Sequence, residues 1–226
     1  MPAKFVPLHV HSHYSLLKAL PKIPDLVAAA KAQGYEALAL TDIGNLYGAI
    51  EFYKECKSAG IKPIIGLDIA MEGGARTLLY AKNETGYKNL LKLVTKTHLQ
   101  DAQGVPLTKE LLVEHQDGLL QLNPQDQSVA LPEVFYLEPE DRRAWEVMRA
   151  IENRGPSEEG DITQEDEAFF FPTNVYVSGR YSEAQIQKTT DLAAQCNLEL
   201  VLGKFIFPHF ALPEGVSADE RLRELT

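Results

Sequence analysis

The sequence predicts an α/β protein with a mainly parallel sheet, of the β/α-barrel kind. Two observations carry this. Short apolar runs alternate with amphipathic stretches of helical spacing through the first half of the chain. Each change of pattern is marked by Pro, Gly or Asn. With this many strand–helix units, a barrel is favoured over an open sheet.

The elements follow in order. Phe5 to His11 reads as a strand. Pro24 opens a helix through Leu26, Val27, Ala30 and Gln33, and Gly34 stops it. Ala37 to Thr41 is a second strand, and a Gly44-Asn45 turn leads into a helix at Tyr47 to Ala59 that Gly60 ends. Pro63 to Ile69 and Thr77 to Ala81 are further strands. Tyr87 to Leu99 carries Leu90, Leu91, Val94 and His98 at helical spacing. Thr108 caps a short helix at Lys109 to His115, and Gly118 leads to a strand at Leu119 to Leu122. Beyond a loop at Asn123 to Gln127, Ser128 to Leu137 should hold one or two short strands, Val129 to Leu137 lying beside Leu119 to Leu122. Pro139 to Glu152 is a helix with acids in its first turn. Asn153 to Glu167 reads as a solvated acidic loop, Ser182 to Cys196 as a helix, FIFPHFALPEG as an extended connector, and Ala218 to Leu225 as the start of a new helix.

The 226 residues fit one large domain, with a boundary expected between residues 1–203 and a connector at 204–226. No apolar run is long enough to span a bilayer, and the N-terminus does not resemble a signal peptide. Cys56 and Cys196 form no disulfide framework, so a reduced, cytoplasmic protein is expected. A net charge of −10 argues against a domain that grips nucleic acid with its own surface, because phosphate binding needs clustered Lys and Arg. Any contact with DNA should be indirect.

His9-Val10-His11 is the sharpest local signal, since side chains at i and i+2 on a strand share a face. Paired imidazoles are a common start to a transition-metal site, though they also occur as buried histidines satisfied by the backbone. Asp42 follows the second strand and Asp68 ends the third, which would bring four ligands to one mouth. Asp42 has an alternative use as a turn or cap residue, and Asp68 as a surface charge.

LHVHSHYSLL followed by ALALTDIGNLYGAIEFYKECKSAGIKPIIGLD closely resembles the PHP (polymerase and histidinol phosphatase) domain of bacterial DNA polymerase III alpha subunits. YAKNETGYKNLLKLV, LTKELLVEHQDGLLQL and EVFYLEPEDRRAWEVMRAI continue the resemblance in the same order. It implies a TIM-like distorted barrel attached to a polymerase. It also implies either a metal cluster of zinc or manganese that cleaves phosphoesters, as a 3′–5′ exonuclease, or an inactive domain that docks a proofreading exonuclease. The family's ligand positions hold Ile43, Asp68, Arg76 and Phe135, where metal-bearing members have His, Glu, His and His. Glu133 stands where the family has Asp, the cysteine ligand is missing, and a helix–strand–helix stretch is shortened near residues 123–128. The barrel should therefore be incomplete.

The resemblance thus implies a vestigial metal set of His9, His11, Asp42, Asp68 and Glu133, with no confident catalytic residue. No cofactor is expected beyond residual zinc or manganese. Arg76 is expected to compensate charge, within about 4 Å of Asp42 or Asp68. The leading reading is a scaffold for the rest of the polymerase chain that docks a proofreading subunit. The alternatives are a metal-dependent phosphoesterase or exonuclease with a reduced ligand set, and an enzyme like histidinol phosphatase. The chain stops in mid-helix, as a fragment would.

Overall fold

The computed structural model describes residues 4–100, 105–152, 168–204, 212 and 215–225. The acidic segment 153–167 and most of the connector, residues 205–211 and 213–214, lie outside them. The elements run α1 (Ile23–Ala32), β1 (Ala37–Leu40), α2 (Ala49–Ala59), β2 (Lys62–Ala70), β3 (Arg76–Ala81), α3 (Glu84–Gln100), α4 (Lys109–Glu114) and β4 (Leu119–Leu122). A 3₁₀ turn at Pro139–Asp141 opens α5 (Arg142–Glu152), followed by α6 (Asn174–Arg180), α7 (Glu183–Gln195) and α8 (Ala218–Leu225). No described helix is long and apolar enough to cross a membrane.

The strands form one sheet in the order β1-β2-β3-β4. Successive strand residues point to opposite faces, and both faces are covered. Leu38, Leu40, Ile65, Leu67 and Leu79 join a core with α1, α2 and α3. Ala37, Ala39, Ile64, Leu78 and Tyr80 join a second core that includes Ala193 of α7 and Cys196. Coverage on both sides explains why β2 is an almost unbroken apolar run, PIIGLDI. Asp68 is the exception within it, fully buried in mid-strand.

The sheet is less parallel than expected. Only β1 and β2 run parallel, over residues 62–65 of β2. Its second half pairs antiparallel with β3, and β3 pairs antiparallel with β4. The physical reason is connection length. Only Met71 to Ala75 separate β2 from β3, room for a hairpin with Gly73 and Gly74 at positive φ but not for a crossover, which takes a dozen or more residues. The four described strands do not close on themselves.

Residues 5–11 are not a strand, although they run beside β1. Ala39 N–H donates to the Pro7 carbonyl and Thr41 N–H to that of Val10. Pro7 has no N–H to give, while Val6 N–H donates to Thr189 Oγ1 and Val10 N–H to Thr41 Oγ1. The ladder loses its donors to side chains. Likewise Ser128 to Leu137 contains no strand, only bridges of Val134 to Val10 and of Tyr136 to Phe170. Val129 and Leu131 pack with Leu120 and Leu122 of β4, but the backbone bonds of this segment go elsewhere, those of Phe135 and Tyr136 to Phe169 and those of Val134 to the His9–His11 stretch. That bridge sets the site.

Candidate metal centre

The parallel bridge of Val134 to Val10 brings two segments more than a hundred residues apart into one register. Val134 N–H donates to the His9 carbonyl and His11 N–H to the Val134 carbonyl, so Glu133 stands beside both histidines. β2 delivers Asp68 to the same point, because Asp68 N–H bonds the Asp42 carbonyl and Gly44 N–H bonds that of Asp68. Arg76, at the start of β3, pairs with Ala70 and so lies diagonally across the hairpin from Asp68, eight residues away.

His9 Nε2 is 2.9 Å from Asp68 Oδ2 and 3.3 Å from Glu133 Oε1. His11 Nε2 is 3.3 Å and 4.0 Å from the same two oxygens. Arg76 Nε–H donates to Asp68 Oδ1 at 3.0 Å, and Nη2 donates both to Asp68 Oδ2 and, at 2.8 Å, to Glu133 Oε1. The guanidinium is a fork spanning two carboxylates, the use to which its geometry is suited. His9, Arg76 and Glu133 open onto a cavity of about 430 Å³ also lined by Gly74, Asn123 and Gln125.

His11 carries the detail that bears on metal. Its Nδ1–H donates to the Val134 carbonyl at 3.1 Å, which turns Nε2 toward the other three residues. Nε2 lies 3.3 Å from Asp68 Oδ2, where the two groups can share a proton or a metal cation. A backbone carbonyl fixing the far nitrogen is also the usual support of a metal-bound imidazole. The Phe135 ring stacks on His11 with centroids 4.7 Å apart and holds it in place.

His9, His11, Asp68 and Glu133 offer ligand atoms that all lie within 4.8 Å of one another. Bonds of about 2 Å to a tetrahedral ion put its ligand atoms roughly 3.3 Å apart, close to the separations of Asp68 from both histidines and of His9 from Glu133. The expectation of no cofactor beyond residual zinc or manganese is therefore corrected: these four residues could together hold a metal ion. The error lay in counting lost ligands, when the four that survive converge.

Asp42 is not brought into that set. Its Oδ1 accepts from Ser12 N–H and Ser15 Oγ, both at 2.7 Å, and its Oδ2 from Ser12 Oγ at 2.8 Å. These hydroxyls anchor the loop after His11. Ile43 points instead to a shallow pocket with Tyr14, Leu16 and His98. Sequence reasoning missed Ser12, Ser15 and the Val134 carbonyl, of which only the serines leave a trace, in HSHYS.

Burial sets the electrostatics. It pushes the Asp42 carboxyl up, against the hydrogen bonds from Ser15 and Ser12. Burial would also raise Asp68, but contacts with His11, His9 and Arg76 outweigh it and hold that carboxyl far below the usual range. Burial lowers His9 from 6.5 despite Asp68 and Glu133. The fold thus resists the proton that the unfolded chain accepts, so the metal-free domain should lose stability as pH falls below about 6.5. Asp68 adds a further loss below 3.8, while Asp42, shifted upward, gains over the range in which it takes up its proton. Melting temperature against pH in chelator should show the first loss in the native sequence and a flatter slope in His9→Gln. Equal slopes would discount the His9 contribution.

The PHP domain family model matches residues 7–158. The chain is 33% identical to the DNA polymerase III subunit alpha of Halalkalibacterium halodurans and 29% identical to that of Bacillus subtilis. Those alignments cover 97% and 98% of this chain but only 25% and 26% of the relatives, so it spans about a quarter of their length. Among solved structures, a Bifidobacterium adolescentis protein named for metal-dependent phosphoesterase activity aligns over 88% of this chain and 76% of its own. At 14% identity and a TM-score of 0.38 the likeness is loose. The family match spans most of the chain and includes His9, His11, Asp68, Arg76 and Glu133: the chain belongs to the PHP domain family.

Proposed function

We propose that this chain is the PHP module of a bacterial replicative DNA polymerase alpha subunit, supporting the rest of that polypeptide and holding one divalent ion. The carrying observation is the composition of the site. Four donors converge, while Ile43 and Phe135 coordinate nothing and Arg76 is a fixed cation paired with two of the donors. A single ion supplies positive charge and Lewis acidity. Four protein donors fill a tetrahedral ion, and aligning a nucleophile with phosphorus would need a position left open for water. His9 and His11 orient on backbone and carboxylate, Asp68 and Glu133 carry the charge, and Phe135 walls one side.

On this reading residues 1–203 are the PHP domain and 204–226 lead toward a polymerase region. The segments at 5–11 and 134–136 are the continuation of a distorted barrel. A proofreading exonuclease is the docking partner, DNA is held by other parts of the polymerase, and the work is done in the cytoplasm. The net charge of −10 supports the indirect role toward DNA.

Hydrolysis of a nitrophenyl phosphodiester and of single-stranded DNA in manganese is the test. The expected result is turnover indistinguishable from buffer, with at most one ion retained per chain. Robust hydrolysis abolished by His9→Ala would replace this reading with a phosphoesterase of reduced ligand set, which the adjoining cavity could serve.

A further inference from the structure

We propose that the Arg76 guanidinium and a divalent ion are mutually exclusive occupants of the His9–His11–Asp68–Glu133 group, so that Arg76 sets the ion affinity of the site. This rests on the reading that those four residues hold one ion.

The exclusion follows from which atoms are shared. Asp68 Oδ2 faces His9, His11 and Arg76 Nη2, and Glu133 Oε1 takes the same Nη2 at 2.8 Å. These two oxygens are the carboxylate ligands nearest the imidazoles, so an ion held by all four residues would sit against a guanidinium bonded to the same two atoms, and the two positive charges repel. A guanidinium stays charged at every pH a protein survives, so it cannot make room by losing a proton. It has to move. The geometry lets it do so. Arg76 is the first residue of β3, its side chain is 37% exposed, and it borders the cavity lined by Gly74, Asn123 and Gln125. The side chain can swing into that space while β2 and β3 stay paired.

A binding-competent state that is a minor population weakens apparent affinity by its fraction. If Arg76 is withdrawn less than about a tenth of the time, removing it should tighten binding at least about tenfold. Zinc affinity of the full chain, read by competition with a chromogenic chelator, is the measurement. Arg76→Gln should bind zinc at least about tenfold more tightly than the native sequence. Arg76→Lys, which keeps a cation there, should gain much less.

Equal zinc affinity in native protein and a folded Arg76→Gln overturns the exclusion and leaves the four-residue site standing. No zinc binding by either, indistinguishable from His9→Ala, removes the ion site itself. Should Arg76→Gln not fold, the native protein still decides. Its Arg76 Nε–H resonance, hydrogen-bonded to Asp68 without zinc, should shift toward the solvent-exposed value at zinc saturation. A resonance unchanged at saturating zinc rejects the proposal.

Discussion

Arg76→Ala should destabilise the metal-free domain by about 3 kcal/mol, and Asp68→Ala by roughly half as much. The asymmetry is the informative part, because the two variants strand different charges. Without Arg76, the Asp68 carboxylate is 1% exposed and left with only imidazoles, and an uncompensated buried charge is typically worth about 3–5 kcal/mol. The lower end applies, since Arg76 is 37% exposed and part of its attraction is already screened. Without Asp68, the guanidinium keeps Glu133 and can turn to water. Urea unfolding of both single variants and the double variant, in chelator, gives the coupling between them. A smaller loss for Arg76→Ala than for Asp68→Ala would reject this account of the site.

Gly86→Ala should cost about 3 kcal/mol, although it adds one methyl group in the first turn of α3. That carbon would lie 2.0 Å from the Gly118 carbonyl oxygen and 2.7 Å from its carbonyl carbon. Backbone cannot step aside as a side-chain tip can. The same Gly118 carbonyl accepts from Lys82 N–H, and Gly86 N–H donates to Asn83 Oδ1. Relief would therefore break the seam joining the end of β3 to the start of β4. Overpacking usually costs about 1–3 kcal/mol, and an immovable partner puts this case at the top of that range. Thermal melting of Gly86→Ala beside Gly179→Ala, where the added carbon meets nothing within 4 Å, separates the clash from any general glycine effect.

The helices were legible wherever caps and apolar spacing agreed. Thr108 and Ser182 both accept from backbone N–H groups at the helix starts that the sequence marks. α6 was not, because NVYVSGR is rich in β-branched residues and contains a glycine. It is held by the Thr173 cap and the burial of Val177 instead of by propensity. The antiparallel β2–β3 pair could have been read from its five-residue link. In the site, His9 and His11 were legible from their i, i+2 spacing and Asp68 from its place near the end of a strand. Asp42 misled, because its position after a strand says nothing of the two serine hydroxyls that occupy its oxygens. The Val134 carbonyl had no signal at all, since every residue has one.

The hairpin that pairs β2 with β3 has a kinetic meaning. Asp68 and Arg76 are eight residues apart, whereas Asp68 is 59 residues from His9 and 57 from His11, and Arg76 is 57 from Glu133. Short loops close before long ones, and hairpins form in roughly 1–10 μs. Loop closure therefore favours the carboxylate meeting its arginine before the imidazoles and Glu133. A carboxylate that reaches the interior in that order arrives already neutralised, whether or not any metal is present in the surrounding solution.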